Sequence, residues 1–475
     1  MKIITKNNVK TAAFAVFALV GIIIAILAPF DISSTEFGVR PANVMVGVIL
    51  ITLAMWIFKP FDLPYSIGGI FLLTAALVVG LPNEAVFDGF TSNAIWTLIP
   101  ALFFGLVLQK TGLGKRIALF ILTLKKQSGF TYLMISQAIS GIILSVLTPS
   151  IMVRIAIIVP IAVQIASLAG LKPKTKAHAA VILMAFAMAL IPGGGWLTGV
   201  LWGPIIQGAF AGVYEISFIN WAMVSLVPSA IITILTIVGG LIFFKNEQKL
   251  VMTRENVRAQ HPARKISKEE VVSSFILVAA FTLFATSMFH GIGTVMVCMG
   301  AVFLFFATKV LDIKDINTKI NWDMVVFIAC ALSLGPIFTY TGIGGWLSEI
   351  VVPNLAPIAG NPWIFVFSVT IFLFIWGFVD VASFIPTIVI VASMAGEISA
   401  RFNISPLVWI VVLMMSGNAF FMAYRNIWAL MTKSLAGENA PSAGQLAKFG
   451  TVYFVACMVA LVVAIPLWTS LGLFG

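Results

Sequence analysis

Two apolar stretches of this sequence, 130–169 and 363–399, are too long for one membrane helix, and each carries Ser and Pro near its middle. The first reads Thr148-Pro149-Ser150-Ile151-Met152-Val153-Arg154 and runs on through IAIIVPIAVQIA. The second reads Asp380-Val381-Ala382-Ser383-Phe384-Ile385-Pro386-Thr387 and runs on through IVIVASMA. A crossing helix needs about 20 residues, so each stretch predicts a re-entrant hairpin with its tip inside the bilayer. Irregular backbone at that depth persists only where protein or a water-filled cavity covers it. Interrupted segments at matching places in two halves are the trace of a repeated scaffold and point to a midplane site. The first tip carries Arg154, and a permanent charge at that depth is a functional hypothesis by default.

Hydrophobic residues make up 61% of the chain and charged residues 9%, which excludes a water-soluble globule with its roughly one-quarter charged residues. Apolar runs near 11–29, 43–58, 64–82, 94–110, 176–212, 220–243, 272–288, 291–308, 322–341, 405–431 and 449–473 predict spans. The fold class expected is an all-α polytopic membrane protein of about 11 transmembrane helices plus two re-entrant helical hairpins in inverted repeats. The division is an N-terminal span (1–39), a first repeat (40–244), a cytoplasmic linker (245–271) and a second repeat (272–475).

The net charge of +11 would suit a nucleic-acid partner, but the positions of the charges reject one. Lys2, Lys6 and Lys10 precede the first span; Lys115, Arg116, Lys125 and Lys126 follow the fourth; Lys172, Lys174 and Lys176 follow the first hairpin. Seven more basic residues lie in 245–270, whereas Asp31, Glu36, Glu84, Asp88, Glu215 and Glu349 occupy the alternate loops. This is the positive-inside pattern. It predicts a multi-pass protein of the cell membrane with a cytoplasmic N-terminus and an external C-terminus. The hairpins then enter from opposite faces, as an inverted repeat requires. The first apolar run ends in Pro-Phe-Asp and reads as a span rather than a cleaved leader. Cys298, Cys330 and Cys457 lie within spans and give no disulfide framework or metal-ligand spacing. His178 and His290 read as interfacial residues, and no metal or cofactor is expected.

Two spans contain breaks. The first is Pro192-Gly193-Gly194-Gly195-Trp196-Leu197-Thr198, with Gly203-Pro204 beyond it. Three successive glycines weaken a helix by roughly 1 kcal/mol each and expose backbone; close packing through small residues is the alternative reading. The second runs from Ser416-Gly417-Asn418-Ala419 to Tyr424-Arg425-Asn426. Its polar side chains either line a cavity or bridge helices within the bundle.

On these motifs the chain resembles the divalent anion:sodium symporters, carriers of dicarboxylates, citrate and sulfate. That family's hairpin tips carry Ser-Asn-Thr then Ala-Thr, with a Pro ten residues after the Ser. Ser150 and Pro160 match at the first tip, Ser383 and Thr387 at the second, and Asp380 matches an acidic residue found in some members. The family's breaks end in Gly-Thr-Pro-Pro-Asn, matched by Gly194, Thr198 and Pro204 in the first and by Asn426 in the second. The segments LFFGLVLQKTGLGKRIALFIL and NWDMVVFIACALSLGPIFTYTGIGGWL look like the fourth span with its interfacial helix and the second-half counterpart. The resemblance implies eleven spans plus two hairpins, an elevator-like transport domain and a homodimer held by a scaffold domain.

The departures fall on the sodium sites. Ile151 and Met152, and Phe384 and Ile385, stand where the family has Asn and Thr, and Leu201-Trp202-Gly203-Pro204-Ile205 replaces its first Gly-Thr-Pro-Pro-Asn. A hard cation needs several oxygen ligands, so sodium is doubtful. Arg154 stands at the family's second Thr and Arg425 at a Pro. A guanidinium presents a planar fork suited to carboxylate, so the expected ligand is a small anion. Arg154 either contacts it or pairs with Asp380. The candidate substrate-binding set is Ser150, Arg154, Thr198, Ser383, Thr387, Arg425 and Asn426, with Asp380 as a coupling candidate. Gly193, Gly194, Gly195, Ser416, Gly417 and Asn418 form the break loops. The resemblance implies a secondary transporter of small dianions, dicarboxylates foremost, working as an exchanger or with protons rather than sodium. An ion-coupled cation antiporter on a similar scaffold is the alternative, disfavoured by the paired arginines. The chain carries no HExxH, Gly-x-Ser-x-Gly or P-loop motif, so it is not expected to be an enzyme.

Overall fold

The computed structural model describes residues 6–32, 34, 37–148, 150–244, 252–262, 264–380 and 384–474. The chain opens with α1 (Lys6–Leu27), α2 (Val39–Phe58), α3 (Tyr65–Val79), α4 (Asn93–Thr111) and α5 (Leu113–Leu122). A two-residue strand β1 (Gln127–Ser128) leads into the first hairpin, α6 (Phe130–Leu147) and α7 (Ile151–Leu168), whose arms pack on each other. Then come the broken pair α8 (Lys176–Leu190) and α9 (Trp202–Ala209), and α10 (Phe218–Phe243). In the linker, β2 (Met252–Thr253) pairs antiparallel with β1.

The second half repeats this order. It comprises α11 (Lys268–Ala285), α12 (Thr294–Ala307), α13 (Trp322–Leu332), α14 (Leu334–Thr341) and α15 (Ile343–Ala359). The second hairpin is α16 (Pro362–Trp376) and α17 (Ile385–Phe402); the second broken pair is α18 (Val408–Gly417) and α19 (Ile427–Ala436); α20 (Ala443–Ser470) closes the chain. The turns into α5 and α15 are built alike. Gly112 (φ 81°) and Gly342 (φ 78°) both take the left-handed conformation, which a side chain disfavours. The preceding threonines, Thr111 and Thr341, each donate a hydroxyl to the carbonyl four residues back, both at 2.7 Å. The short repeat Thr-Gly-Leu-Gly and Thr-Gly-Ile-Gly records this in the sequence.

Among the described residues, ten helices are long and apolar enough to cross a membrane. Seven are expected spans; three are hairpin arms, 130–147, 151–168 and 385–402. The spans expected at 64–82, 291–308 and 405–431 rest on shorter helices, and that at 272–288 is a helix whose first turn is charged. Burial sets the layers. The window Lys176–Gly195 is 100% buried, making α8 the axis of the molecule, while Lys10–Leu27 is 6% buried and leaves α1 on the rim. There α1 meets α2 through Gly21 and Gly47; a β-carbon on Gly21 would stand 2.7 Å from the Gly47 carbonyl oxygen. Small residues at such a contact let helices approach where no hydrophobic effect drives them together.

The halves are stapled at one end. Arg116 of α5 forms a two-pronged bridge to Glu270 of α11, both contacts at 3.0 Å, and Lys110 reaches Asp312 at 3.2 Å. The Arg116 guanidinium holds the Glu270 carboxyl below the usual carboxylate range.

Candidate functional site

The first break starts where Pro192 removes an amide donor and ends α8. A 3-10 turn over Pro192–Gly195, an extended Trp196 (φ −143°, ψ 148°) and a second turn over Leu197–Gly199 carry the chain toward α9. The glycines permit close approach. A β-carbon on Gly193 would stand 2.8 Å from Nη1 of Arg154, and one on Gly194 2.6 Å from the sulfur of Met414 in α18. Two indoles pin this loop: Trp221 donates to the Gly194 carbonyl at 3.0 Å and Trp196 to the Ser145 carbonyl at 2.9 Å. Gly195 packs beside Leu226.

Arg154 lies in the first turn of α7, for which Ser150 is the N-cap; its hydroxyl accepts from the Val153 amide at 3.4 Å. The arginine is 0% exposed, and Nε, Nη1 and Nη2 have no hydrogen-bond partner among the described residues. Five N–H donors and a full charge thus face the first break unanswered. A buried charge without a partner costs several kcal/mol. The ion pairs among the described residues lie at the loops that staple the halves, and none includes Arg154 or Arg425. The pairing of Arg154 with Asp380 left open by the sequence is absent. The tip itself rests on α4: a β-carbon on Gly105 would stand 2.9 Å from Cβ of Ser150 and 3.2 Å from the Thr148 hydroxyl.

The second break holds Arg425 differently. Its Nη2 donates to the Ser416 carbonyl at 3.3 Å, and Nη1 has no partner among the described residues. Its guanidinium carbon lies 4.7 Å from the ring centre of Phe378 and 5.7 Å from those of Phe374 and Phe421. Aromatic faces attract a cation without neutralising it. Asn426 caps α19, accepting from the amides of Trp428 (3.0 Å) and Ala429 (3.1 Å), while its Nδ2 donates to the carbonyls of Asn418 (3.3 Å) and Ala419 (3.4 Å). Its side chain therefore serves the break itself.

At the second tip, the Asp380 carboxylate accepts from the Thr387 hydroxyl and from the Thr387 amide at 3.3 Å. The Thr387 oxygen in turn accepts from the Trp376 indole at 2.9 Å, which ties the two arms together. Phe384 stands in the left-handed region (φ 60°, ψ 8°), a strained place for a bulky residue. Ser383 lies outside the described residues.

A cavity of ≈ 20 Å³ forms between this tip and both breaks, lined by Asp380, Phe384, Ser416, Gly417, Arg425, Asn426 and Trp202. Asp380, Arg425 and Asn426 are thus together. Thr198 lines a different void of ≈ 10 Å³, with Leu147, Thr97 and Cys298. Arg154 lines neither void; its guanidinium lies against Gly193. The sequence reading overlooked the aromatic box, although Phe374 and Phe378 are four apart and Phe421 is four before Arg425. His178 is 0% exposed, with neither ring nitrogen partnered among the described residues, so it is a buried residue rather than an interfacial one.

Long apolar helices around two broken ones, with buried cations at the breaks, are the layout of a multi-pass membrane protein. The model of the citrate transporter family matches residues 51–414, and the chain belongs to that family. It is 24% identical to "Dicarboxylate transporter 2, chloroplastic" of Spinacia oleracea, over 74% of this chain and 63% of that protein. It is 26% identical to the "L-tartrate/succinate antiporter" of Shigella boydii, over 66% of this chain and 64% of that protein. It is 21% identical to "Inner membrane protein YbhI" of Escherichia coli, over 75% and 78%. The match thus spans less than two thirds of the length of the chloroplast relative. In fold it is similar to the YdaH transporter of Alcanivorax borkumensis, with TM-score 0.59 and 14% identity over 98% of this chain and 100% of that one.

Proposed function

We propose that this chain is a secondary carrier of small dicarboxylate dianions that works by exchange and without sodium. The observation that carries the reading is the pair of buried guanidinium groups at the two breaks, Arg154 with no partner among the described residues and Arg425 half-satisfied. The relatives named for dicarboxylates and for tartrate and succinate support the substrate class. Where related tips carry Asn and Thr oxygens, Ile151, Phe384 and Ile385 are buried hydrocarbon (1%, 3% and 0% exposed) and Met152 is a thioether. These side chains do not fit sodium, a hard cation; the arginines supply the positive charge instead.

Exchange follows from that substitution. A bound sodium leaves with its substrate, but a guanidinium stays. Returning empty carries an uncompensated buried charge, at a cost of several kcal/mol, so the loaded carrier crosses in both directions. The two halves act as inverted repeats with a cytoplasmic N-terminus and an external C-terminus. The hairpins and broken helices move as one body against the remaining helices, in a homodimer. Reconstituted protein preloaded with succinate or malate is expected to take up labelled dicarboxylate at equal rates with and without external sodium. Uptake that rises saturably with sodium and needs no internal anion refutes the reading.

A further inference from the structure

Trp202 opens α9 and is 3% exposed, so it faces the interior rather than lipid. Its indole N–H donates to Oδ1 of Asn418 at 2.7 Å, joining the first break to the second. Its ring lies on the Gly417 backbone: a β-carbon there would stand 3.4 Å from two ring carbons of Trp202 and 3.3 Å from the Phe384 ring. The same indole lines the cavity that holds Arg425 and Asp380. The cavity is only ≈ 20 Å³, room for about one water.

Resting on the carrier reading above, we infer that Trp202 is the specificity-determining wall of the anion site, fixing both its size and its donor pattern. An indole is a donor only, so it settles which way the Asn418 amide points: oxygen toward Trp202, Nδ2 away. That Nδ2 makes no hydrogen bond among the described residues; Asn418 lies behind the cavity wall formed by Trp202 and Gly417 rather than lining it, and its amide becomes a donor for a carboxylate beside Arg425 as the site opens. The ring, held at its nitrogen by Asn418 and on its face by Gly417, cannot swing aside as a free side chain would. The site that opens in front of Arg425 therefore takes dianions with two carboxylates on a short carbon chain. A tricarboxylate such as citrate meets the indole. The residue is one of the departures noted above, standing where related breaks have the small hydroxyl of Thr.

The test uses the full chain purified in detergent, with ligand-induced thermal shifts and equilibrium binding of succinate, malate and citrate. The wild type is expected to bind the two four-carbon dianions and not citrate. Trp202→Ala is expected to gain citrate binding and to lose about tenfold in affinity for succinate as the Asn418 amide is released. Trp202→Phe keeps most of the bulk without the N–H; it is expected to exclude citrate still while binding succinate about tenfold more weakly. Trp202→Ala or Trp202→Phe protein that binds succinate as the wild type does and still rejects citrate overturns this inference alone. Wild-type protein that binds none of the three overturns the carrier reading and this inference together.

Discussion

On the proposed reading, Arg154 is poised for binding at the expense of stability. Its guanidinium is fully buried and has no partner among the described residues, so in the ligand-free protein it is a net cost. Arg154→Met removes the charge and keeps the length. The expected result is a higher thermal midpoint for the empty protein together with loss of the dicarboxylate-induced shift. A lower midpoint with binding intact assigns the arginine to structure. Arg154→Lys keeps the charge but not the planar fork and is expected to bind at least tenfold more weakly, by calorimetry. Gly193→Ala makes the complementary point. Its new β-carbon would stand 2.0 Å from the Gly199 carbonyl oxygen and 2.8 Å from Arg154 Nη1, so the backbone of the break must shift and the guanidinium with it. Overpacking of this kind costs about 1–3 kcal/mol, and exchange activity in liposomes is expected to fall with it.

At the scale of elements, the bridge from Arg116 to Glu270 ties α5 to the start of α11. Glu270 has a depressed folded-state pKa, so its contribution is present above the unfolded pKa of about 4.3 and is lost as pH falls through the lower folded value. Glu270→Gln is therefore expected to destabilise the protein by about 2 kcal/mol at neutral pH because Arg116 is partly exposed, read as a lower thermal midpoint. The deficit is expected to close as the pH drops toward 3; a deficit unchanged by pH assigns the effect instead to the helix cap, in which the Ser267 amide donates to Glu270 Oε2 at 2.8 Å. The elements themselves were legible in sequence. Long apolar runs and mid-run Pro and Ser gave the helices, the interruptions within 130–169 and 363–399 and both breaks, because a bilayer leaves a segment few other conformations. The turns at Gly112 and Gly342 lie in the two segments matched to the family, and their shared Thr-Gly-x-Gly repeat becomes legible once the left-handed glycines are seen. The site was less legible. Spacing along the chain does not say which residues of four separate elements converge, so Thr198 and Arg425, grouped by motif, line different voids. Trp202 stood out only as a departure, because its partners Gly417 and Asn418 lie more than 200 residues away.

For the whole molecule, the alternation of basic loops predicts an orientation that labelling can read. Cys298, Cys330 and Cys457 are free and buried, so they leave a low background. Cysteine placed at Gln260 is expected to react only with reagent on the cytoplasmic face, and at Ser470 only with reagent outside; both positions are exposed. Reaction of both from one side removes the inverted arrangement of the halves. Under the exchange proposed above, the buried charge of Arg154 has a consequence for the cell that holds such a protein. A carrier whose permanent cation travels only in company couples one dianion to another and to nothing else. At rest it makes the inside-to-outside ratio of one dicarboxylate equal to that of every other it accepts. Two charges cross each way, so the membrane voltage drops out of the balance, and so does the sodium gradient. Such a protein cannot fill a cell with carbon; it trades one acid for another at constant total, and the pool on one side sets the composition of the other.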